Sequence, residues 1–321
     1  MHYDFCTLFD KNYLTRGLAL HYSLKRTCQS FRFWILCMDQ TTYEILTKLK
    51  LENVTLIRLQ EFEDKKLLAI KPTRTVGEYC WTCTPSLPLY ILKCFPQVKM
   101  ISYVDADLYF YSSPEPLFKE FGQNSIMIIP HRFASAREVK EKAAGIYNVG
   151  MLTFRRDRNG RKCLLWWRER CLEWCYNRQE DGKVGDQKYL DQFPKLFKKV
   201  CVLSHIGGGV APWNIGQYRV WKNKDKIFVD KFRLIFYHFL GLQIYKPLPF
   251  LLPSPLGNYG EISRNRSLIY DQYFQKIYQE TKKVRHHFPN FSAGFFPRPQ
   301  FPLLLKEEIL SKLVSLKDAL S

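Results

Sequence analysis

The chain has 321 residues, of which 46% are hydrophobic, so it can bury a sizeable core and is not globally disordered. It carries 49 Lys and Arg residues against 30 Asp and Glu residues, a formal net charge of +19. This charge favours polyanionic partners such as nucleic acid, anionic lipid or phosphorylated substrates. The basic residues are spread along the chain, and the common nucleic-acid-binding patterns are missing, so we expect no nucleic-acid partner.

Strands and helices alternate over the first 60 residues. This β-α-β-α-β order favours a parallel, doubly wound sheet. We therefore expect an α/β protein with a mostly parallel sheet flanked by helices, and no Gly-x-Gly-x-x-Gly fingerprint points to a dinucleotide cofactor. The apolar patterns predict strands over 3–9, 31–38 and 54–59, and helices over 14–24 and 41–51.

The central feature of the sequence is an apolar run, 100–104, that ends at two aspartates, Asp105 and Asp107. Residues i and i+2 of a strand point to the same side, so the two carboxylates can converge. Carboxylate oxygens suit Mg²⁺ or Mn²⁺, and such ions usually bind together with substrate phosphates. Open α/β sheets bind ligands at the carboxyl ends of their strands. The pattern predicts a divalent metal that holds a phosphorylated substrate; the alternative is an ordinary turn or helix cap.

The rest of the chain continues the α/β pattern and then changes composition. A helix over 75–94 is expected to be interrupted at Pro85 and Pro88. The composition change after Pro247 separates a predicted catalytic domain, 1–247, from a helical, Pro- and aromatic-rich basic extension, 248–321. Further strands are predicted over 125–130 and 234–238, a turn into a buried strand over 145–154, and further helices over 161–176, 262–287 and 301–320.

The setting of the protein is inferred from what the sequence lacks. Ten cysteines are scattered, and a chain of this length does not need a disulfide framework. Cys80 and Cys83 form a lone CxxC pair, for which we favour a structural role. No signal-peptide pattern begins the chain, and no apolar stretch approaches the ~20 residues of a membrane span. We expect a cytoplasmic protein, and the basic extension suggests peripheral contact with the inner face of an anionic membrane.

Two segments resemble a known enzyme family. Tyr103-Val-Asp-Ala-Asp-Leu-Tyr-Phe resembles the YLDAD signature of glycosyltransferases of the GT-A fold that are similar to family 8. His238-Phe-Leu-Gly, with Lys246-Pro after it, resembles their HFxGxxKPW motif, although the Gly-to-Lys spacing is longer and no Trp follows. The resemblance implies that Mn²⁺ (or Mg²⁺) is held by Asp105, Asp107 and His238. It also implies that Lys246 binds the diphosphate of a nucleotide-sugar donor and that Gly241 belongs to the substrate-binding residues.

Weaker matches extend the resemblance over roughly residues 3–247. The opening of the chain is similar to the family's nucleotide-binding strand end, 145–154 to its FNSGVMLI segment, and 186–191 to its DQD.LN segment. In the family these segments contact the nucleotide, the donor sugar and the reacting carbon. The resemblance implies catalytic roles for Asp186 and Gln187, and substrate binding by Thr7, Phe9, Asp10, Tyr13, Arg74 and Asn148.

The resemblance implies an activity. We expect a metal-dependent enzyme that moves a hexose from a nucleotide-diphosphate sugar, expected to be a UDP-sugar, to a glycan or lipid-linked acceptor with retention of configuration. Three alternatives stay open: a metal-dependent nucleotidyltransferase, a basic nucleic-acid-binding protein, and a degenerate fold that binds glycans without turnover.

Overall fold

A computed structural model describes residues 2–133, 143–245, 251–252 and 266–297 of the chain. Among these residues, seven strands form a central sheet in the order β3-β2-β1-β4-β7-β6-β8. All neighbouring pairs are parallel except the two that involve β7, which runs antiparallel to β4 and β6. The strands of the first two thirds of the chain are β1 (Tyr3–Phe9), β2 (Phe31–Cys37), β3 (Val54–Arg58), β4 (Met100–Val104), β5 (Leu108–Phe110), β6 (Ile126–Pro130), β7 (Tyr147–Arg155) and β8 (Val200–Val202).

Helices cover both faces of this sheet, so the expected α/β class with a mostly parallel sheet flanked by helices is confirmed. Phe5 and Phe9 of β1 join the core on one face, and Cys6 and Leu8 join the core on the other. Burial on both faces explains why the strands read as nearly continuous apolar runs. The helices are α1 (Leu14–Thr27), α2 (Gln40–Leu49), α3 (Leu59–Phe62), α4 (Lys65–Ile70), α5 (Val76–Cys83), α6 (Ser86–Cys94), α7 (Glu115–Phe121), α8 (Arg158–Glu173), α9 (Phe193–Leu196) and α10 (Asp271–His287).

Short strands from the last third of the chain complete the fold. β5 pairs antiparallel with β12, and Leu108 lies opposite His238. This pairing attaches the His238 segment to the end of the central sheet beyond β4. The late strands are β9 (Val220–Asn223), β10 (Lys226–Val229), β11 (Phe232–Arg233), β12 (Phe236–His238), β13 (Gln243–Tyr245), β14 (Leu251–Leu252) and β15 (Phe295–Phe296).

The helix predicted over 75–94 is interrupted at Pro85, as expected, but not at Pro88. Pro88 lies in the first turn of α6, where a missing backbone N–H removes no helical hydrogen bond. Thr75 begins α5 with a capping box: its side chain accepts from the amide of Glu78, whose side chain accepts from the Thr75 amide.

The C-terminal part of the chain is described only to residue 297. Helix α10 begins at Asp271 and is preceded by a π-helical turn over Arg266–Tyr270. Its buried face joins the core that also contains Leu14 and Leu18 of α1. The helix predicted over 301–320 lies outside the described residues, and the division into domains at residue 247 stays a prediction. None of the described helices combines the length and apolarity needed to cross a membrane.

Candidate metal centre

The two aspartates lie where β4 leaves the sheet. The amide of Asp105 donates to the carbonyl of Gly150 on β7 (2.9 Å), and the amide of Leu108 donates back to the carbonyl of Asp105 (3.1 Å). This tight turn directs the chain into β5. Because β5 pairs with β12, and Leu108 lies opposite His238, the imidazole is brought to the two carboxylates from 131 residues further along the chain.

The three predicted metal ligands form one compact cluster. Nε2 of His238 lies 3.1 Å from Oδ1 of Asp107 and 3.7 Å from Oδ2 of Asp105. One ligand atom from each of the three residues lies within 4.8 Å of the others. His238 is 2% exposed and Asp107 is 5% exposed. Asp105 is half-buried. Two carboxylates and an imidazole that converge in this way form a donor set suited to Mn²⁺.

The ring of His238 is oriented by a residue of β7. Oδ1 of Asn148 lies 3.2 Å from Nδ1 of His238 and accepts a hydrogen bond from the amide of Gly150 (2.9 Å). Because an amide oxygen only accepts, Nδ1 carries the proton. In the neutral ring, Nε2 then presents its lone pair toward Asp105 and Asp107. This is the tautomer that a metal-binding histidine needs, and a partner on its other nitrogen is the usual support.

The charges of the three predicted ligand residues favour the binding of a cation. Burial, with the neighbouring charge of Asp107, raises the pKa of Asp105 to about 6. Burial also acts to raise the pKa of Asp107, but the charge and hydrogen bond of His238, together with the charge of Arg16, lower that pKa overall. Burial acts to lower the pKa of His238, yet the charge of Asp107 raises it. The two carboxylates therefore attract positive charge to this place, which a divalent cation would supply. The residues fit a metal ion.

The predicted catalytic residues lie beside this cluster. Oε1 of Gln187 accepts from Nδ2 of Asn148 (2.9 Å), while Nε2 of Gln187 donates to the carbonyl of Ala144 (2.9 Å). Gln187 is thus joined to His238 through one amide side chain. Asp186 is buried, and burial together with the charge of Asp105 raises its pKa to about 8. Both residues remain predictions as catalytic groups.

The predicted nucleotide-binding residues lie at the end of β1 and in the turn after it. Thr7 is buried, and its hydroxyl lacks a hydrogen-bond partner among the described residues. Asp10 caps its own turn, accepting from the amide (2.9 Å) and Nδ2 (2.8 Å) of Asn12. Tyr13 is 41% exposed, and its pKa is raised to about 12 by burial of its hydroxyl and by the charge of Asp107. The Tyr13 ring contacts the guanidinium of Arg16 at 4.7 Å.

Two predicted substrate-binding side chains lie away from the cluster. The ring of Phe9 packs into the core against α1, where a Cβ on Gly17 would lie 2.3 Å from it. Arg74 contacts the ring of Tyr176 at 3.9 Å and forms no ion pair with the side chains that the structure describes. The glycine of the histidine motif, Gly241, adopts φ +73° in the turn that follows β12. Lys246 lies outside the described residues.

Three residues near the cluster had no assigned role in the sequence analysis. The hydroxyl of Tyr103 donates to Oδ1 of Asp105 (2.9 Å). Arg16 is buried, and Nη2 donates to the carbonyl of Leu242 (2.7 Å). Tyr273 lies on α10, far from any recognised motif. Only Tyr103 carries a sequence signal, because residues i and i+2 of a strand point to the same side.

No family profile matches the chain. Among solved structures, the galactosyltransferase LgtC in complex with donor and acceptor sugar analogs is 16% identical with a TM-score of 0.41, covering 62% of this chain and 72% of that chain. The bifunctional glycosyltransferase WbbM is 14% identical with a TM-score of 0.47, covering 87% of this chain and 51% of that chain.

Two sequence relatives come from Bacillus subtilis (strain 168). The uncharacterized protein YfnD is 29% identical over 304 residues, which is 94% of this chain and 96% of YfnD. The uncharacterized protein YfnF is 37% identical over 247 residues, which is 75% of this chain and 82% of YfnF. At this identity and coverage, the chain belongs to the same protein family as YfnF of Bacillus subtilis.

Proposed function

We propose that the protein is a glycosyltransferase that moves a hexose from a nucleotide-diphosphate sugar to a glycan or lipid-linked acceptor. The observation that carries the proposal is the cluster of Asp105, which is half-buried, with the buried Asp107 and His238 at the carboxyl end of β4. Its histidine is held by Asn148 in the tautomer that binds a metal. The proposal includes Mn²⁺ (or Mg²⁺) as cofactor, a UDP-sugar as donor and retention of configuration, which follow from the resemblance of the two motifs.

The three metal ligands and Asn148 have different proposed roles. Asp105, Asp107 and His238 would hold the metal, which when bound supplies positive charge for the leaving diphosphate. Asn148 fixes the imidazole and connects it to Gln187. Each of these groups is already in place before substrate binds, so little reorganisation is needed at the moment of reaction.

Asp186 is the proposed stabiliser of the sugar's positive charge in the transition state. In the free protein its pKa of about 8 keeps most of this carboxyl group protonated at neutral pH. Part of the upward shift comes from the negative charge of Asp105, after burial. Neutralising Asp105 therefore favours the ionised form of Asp186, which is the form that stabilises a developing cation.

Calorimetric titration of UDP and GDP, with and without Mn²⁺, tests the proposal on the wild type and on Asp107→Asn. We expect Mn²⁺-dependent binding of one nucleotide, lost in the variant because one of three metal ligands is weakened. Asp225→Asn is the matched control, because Asp225 lies on the exposed turn between β9 and β10.

Two results would count against the metal-diphosphate site. One is that neither nucleotide binds to the wild type. The other is that binding is indifferent both to Mn²⁺ and to Asp107→Asn. Binding of DNA or RNA that weakens steeply with salt but is unchanged in Asp107→Asn would instead favour the basic nucleic-acid-binding alternative.

A further inference from the structure

Helix α10 brings the polar side chain of Tyr273 close to the candidate metal centre. This helix lies outside the segments that resemble the glycosyltransferase motifs. Tyr273 is fully buried, and its ring stacks on Phe239 with the centroids 3.8 Å apart and the planes at 11°. Phe239 directly follows His238, and its amide donates to the carbonyl of Asp107 (3.0 Å). Tyr273 is therefore separated from the metal-ligand segment by a single ring.

The hydroxyl of Tyr273 has no hydrogen-bond partner among the described residues. Buried hydroxyl groups in folded proteins are nearly always paired, because an unpaired one costs free energy. Burial raises the pKa of Tyr273, and the charges of Arg16 and Asp107 reach the same hydroxyl with opposite effects. The unpaired oxygen thus lies within reach of the charges of Arg16 and Asp107.

Arg16 is a second unusual group at this place. It is buried, and its guanidinium donates to the carbonyls of Asn12 (3.0 Å) and Leu242 (2.7 Å). It forms no ion pair with any side chain in the described part of the chain. A buried cation normally has a charged partner. Carbonyl oxygens satisfy its donors, but they leave its charge available to an anionic ligand.

An anionic group bound beside Asp107 would give the Tyr273 hydroxyl a hydrogen-bond acceptor and would give Arg16 a charged partner. We propose that the Tyr273 hydroxyl donates a hydrogen bond to a phosphate oxygen of the donor's diphosphate, in the positive field of Arg16, and that helix α10 is therefore part of the donor site. This inference rests on the proposed function. It assigns the contact to the phosphates and not to the sugar, because Arg16 favours negative charge at this position.

The test uses Tyr273→Phe, which removes one oxygen and keeps the ring. Because the hydroxyl is unpaired in the free protein, the variant should melt at the same temperature as the wild type or higher. In the presence of Mn²⁺, its affinity for inorganic pyrophosphate and for UDP should fall about tenfold or more, the usual effect of losing a hydrogen bond to a charged group. Mn²⁺ alone, followed by electron paramagnetic resonance, should bind as before.

Tyr270→Phe is the matched control from the π-helical turn that precedes α10. Its hydroxyl lies 2.8 Å from the hydroxyl of Tyr237, and both are buried. Its loss should lower the melting temperature and leave pyrophosphate affinity unchanged. The two variants remove the same atom from neighbouring buried rings. Weaker pyrophosphate binding without loss of stability in Tyr273→Phe, and loss of stability without weaker binding in Tyr270→Phe, would distinguish a ligand contact from a packing role.

Three other outcomes would each contradict the proposed contact between the Tyr273 hydroxyl and the diphosphate. If the wild type binds pyrophosphate with Mn²⁺ and Tyr273→Phe binds it equally well, the hydroxyl does not contact the diphosphate, and the proposed function stands without it. If Tyr273→Phe loses Mn²⁺ binding or the folded state, Tyr273 has a packing role. If the wild type binds neither pyrophosphate nor UDP, the proposed function fails, and the inference fails with it.

Discussion

Gly150 decides whether Asn148 can hold His238, and replacing it by alanine tests that geometry directly. A Cβ at position 150 would lie 2.5 Å from Oδ1 of Asn148 and 2.8 Å from Nδ1 of His238. To reach ordinary van der Waals contact, these atoms must retreat by roughly 1 Å. They now lie 3.2 Å apart, so a retreat of that size in different directions breaks their hydrogen bond.

The expected consequence of Gly150→Ala is weaker metal binding. Loss of the partner that orients a metal-binding histidine typically lowers metal affinity by about 10- to 100-fold, or about 1.4–2.7 kcal/mol. The backbone itself tolerates alanine, because Gly150 is not among the glycines with positive φ. The clash falls on two side chains and not on main-chain atoms, so we expect the fold to survive.

The assay is titration with Mn²⁺ followed by electron paramagnetic resonance, together with a thermal unfolding curve. Gly77→Ala is the matched control, because a Cβ on that helical glycine would meet no atom within 4 Å. It should stabilise α5 by up to about 1 kcal/mol and leave Mn²⁺ affinity unchanged. Wild-type Mn²⁺ affinity in Gly150→Ala would refute the orienting role that we assign to Asn148.

Two further predictions concern stability. The pKa of Asp186 is raised to about 8 in the folded protein, so its ionisation destabilises the fold progressively from about pH 4 to pH 8. As pH rises, Asp186→Asn should therefore become more stable than the wild type, by on the order of a few kcal/mol at pH 8. Urea unfolding at several pH values measures this difference in stability. A difference that does not change with pH would contradict the prediction. Glu78→Ala removes the acceptor for the amides of Thr75 (2.8 Å) and Asn177 (2.7 Å), and should lower stability by about 2 kcal/mol in the same assay, whereas an unchanged midpoint would show that this cap is dispensable.

The local pattern of the sequence predicted much of the sheet. β1 begins and ends as expected at Tyr3 and Phe9, and the strand before the two aspartates is found over Met100–Val104. Both are runs of side chains buried on two faces, so the apolar pattern itself carries the signal. The direction of β7 carries no such signal, because its residues would be equally apolar in a parallel strand.

The sequence by itself determined that Asp105 and Asp107 directly follow a buried strand, since an apolar run and the residues next to it are recognised without any distant partner. The motif resemblance added His238. Only the tertiary structure decided how these groups are held: the pairing of β12 with β5 brings His238 to the aspartates, and the antiparallel β7 places Asn148 against its ring. The approach of Tyr273 depends in the same way on where α10 packs. Such contacts join residues far apart in the chain, and their physical cause is the packing of whole elements, which no local pattern of residues contains.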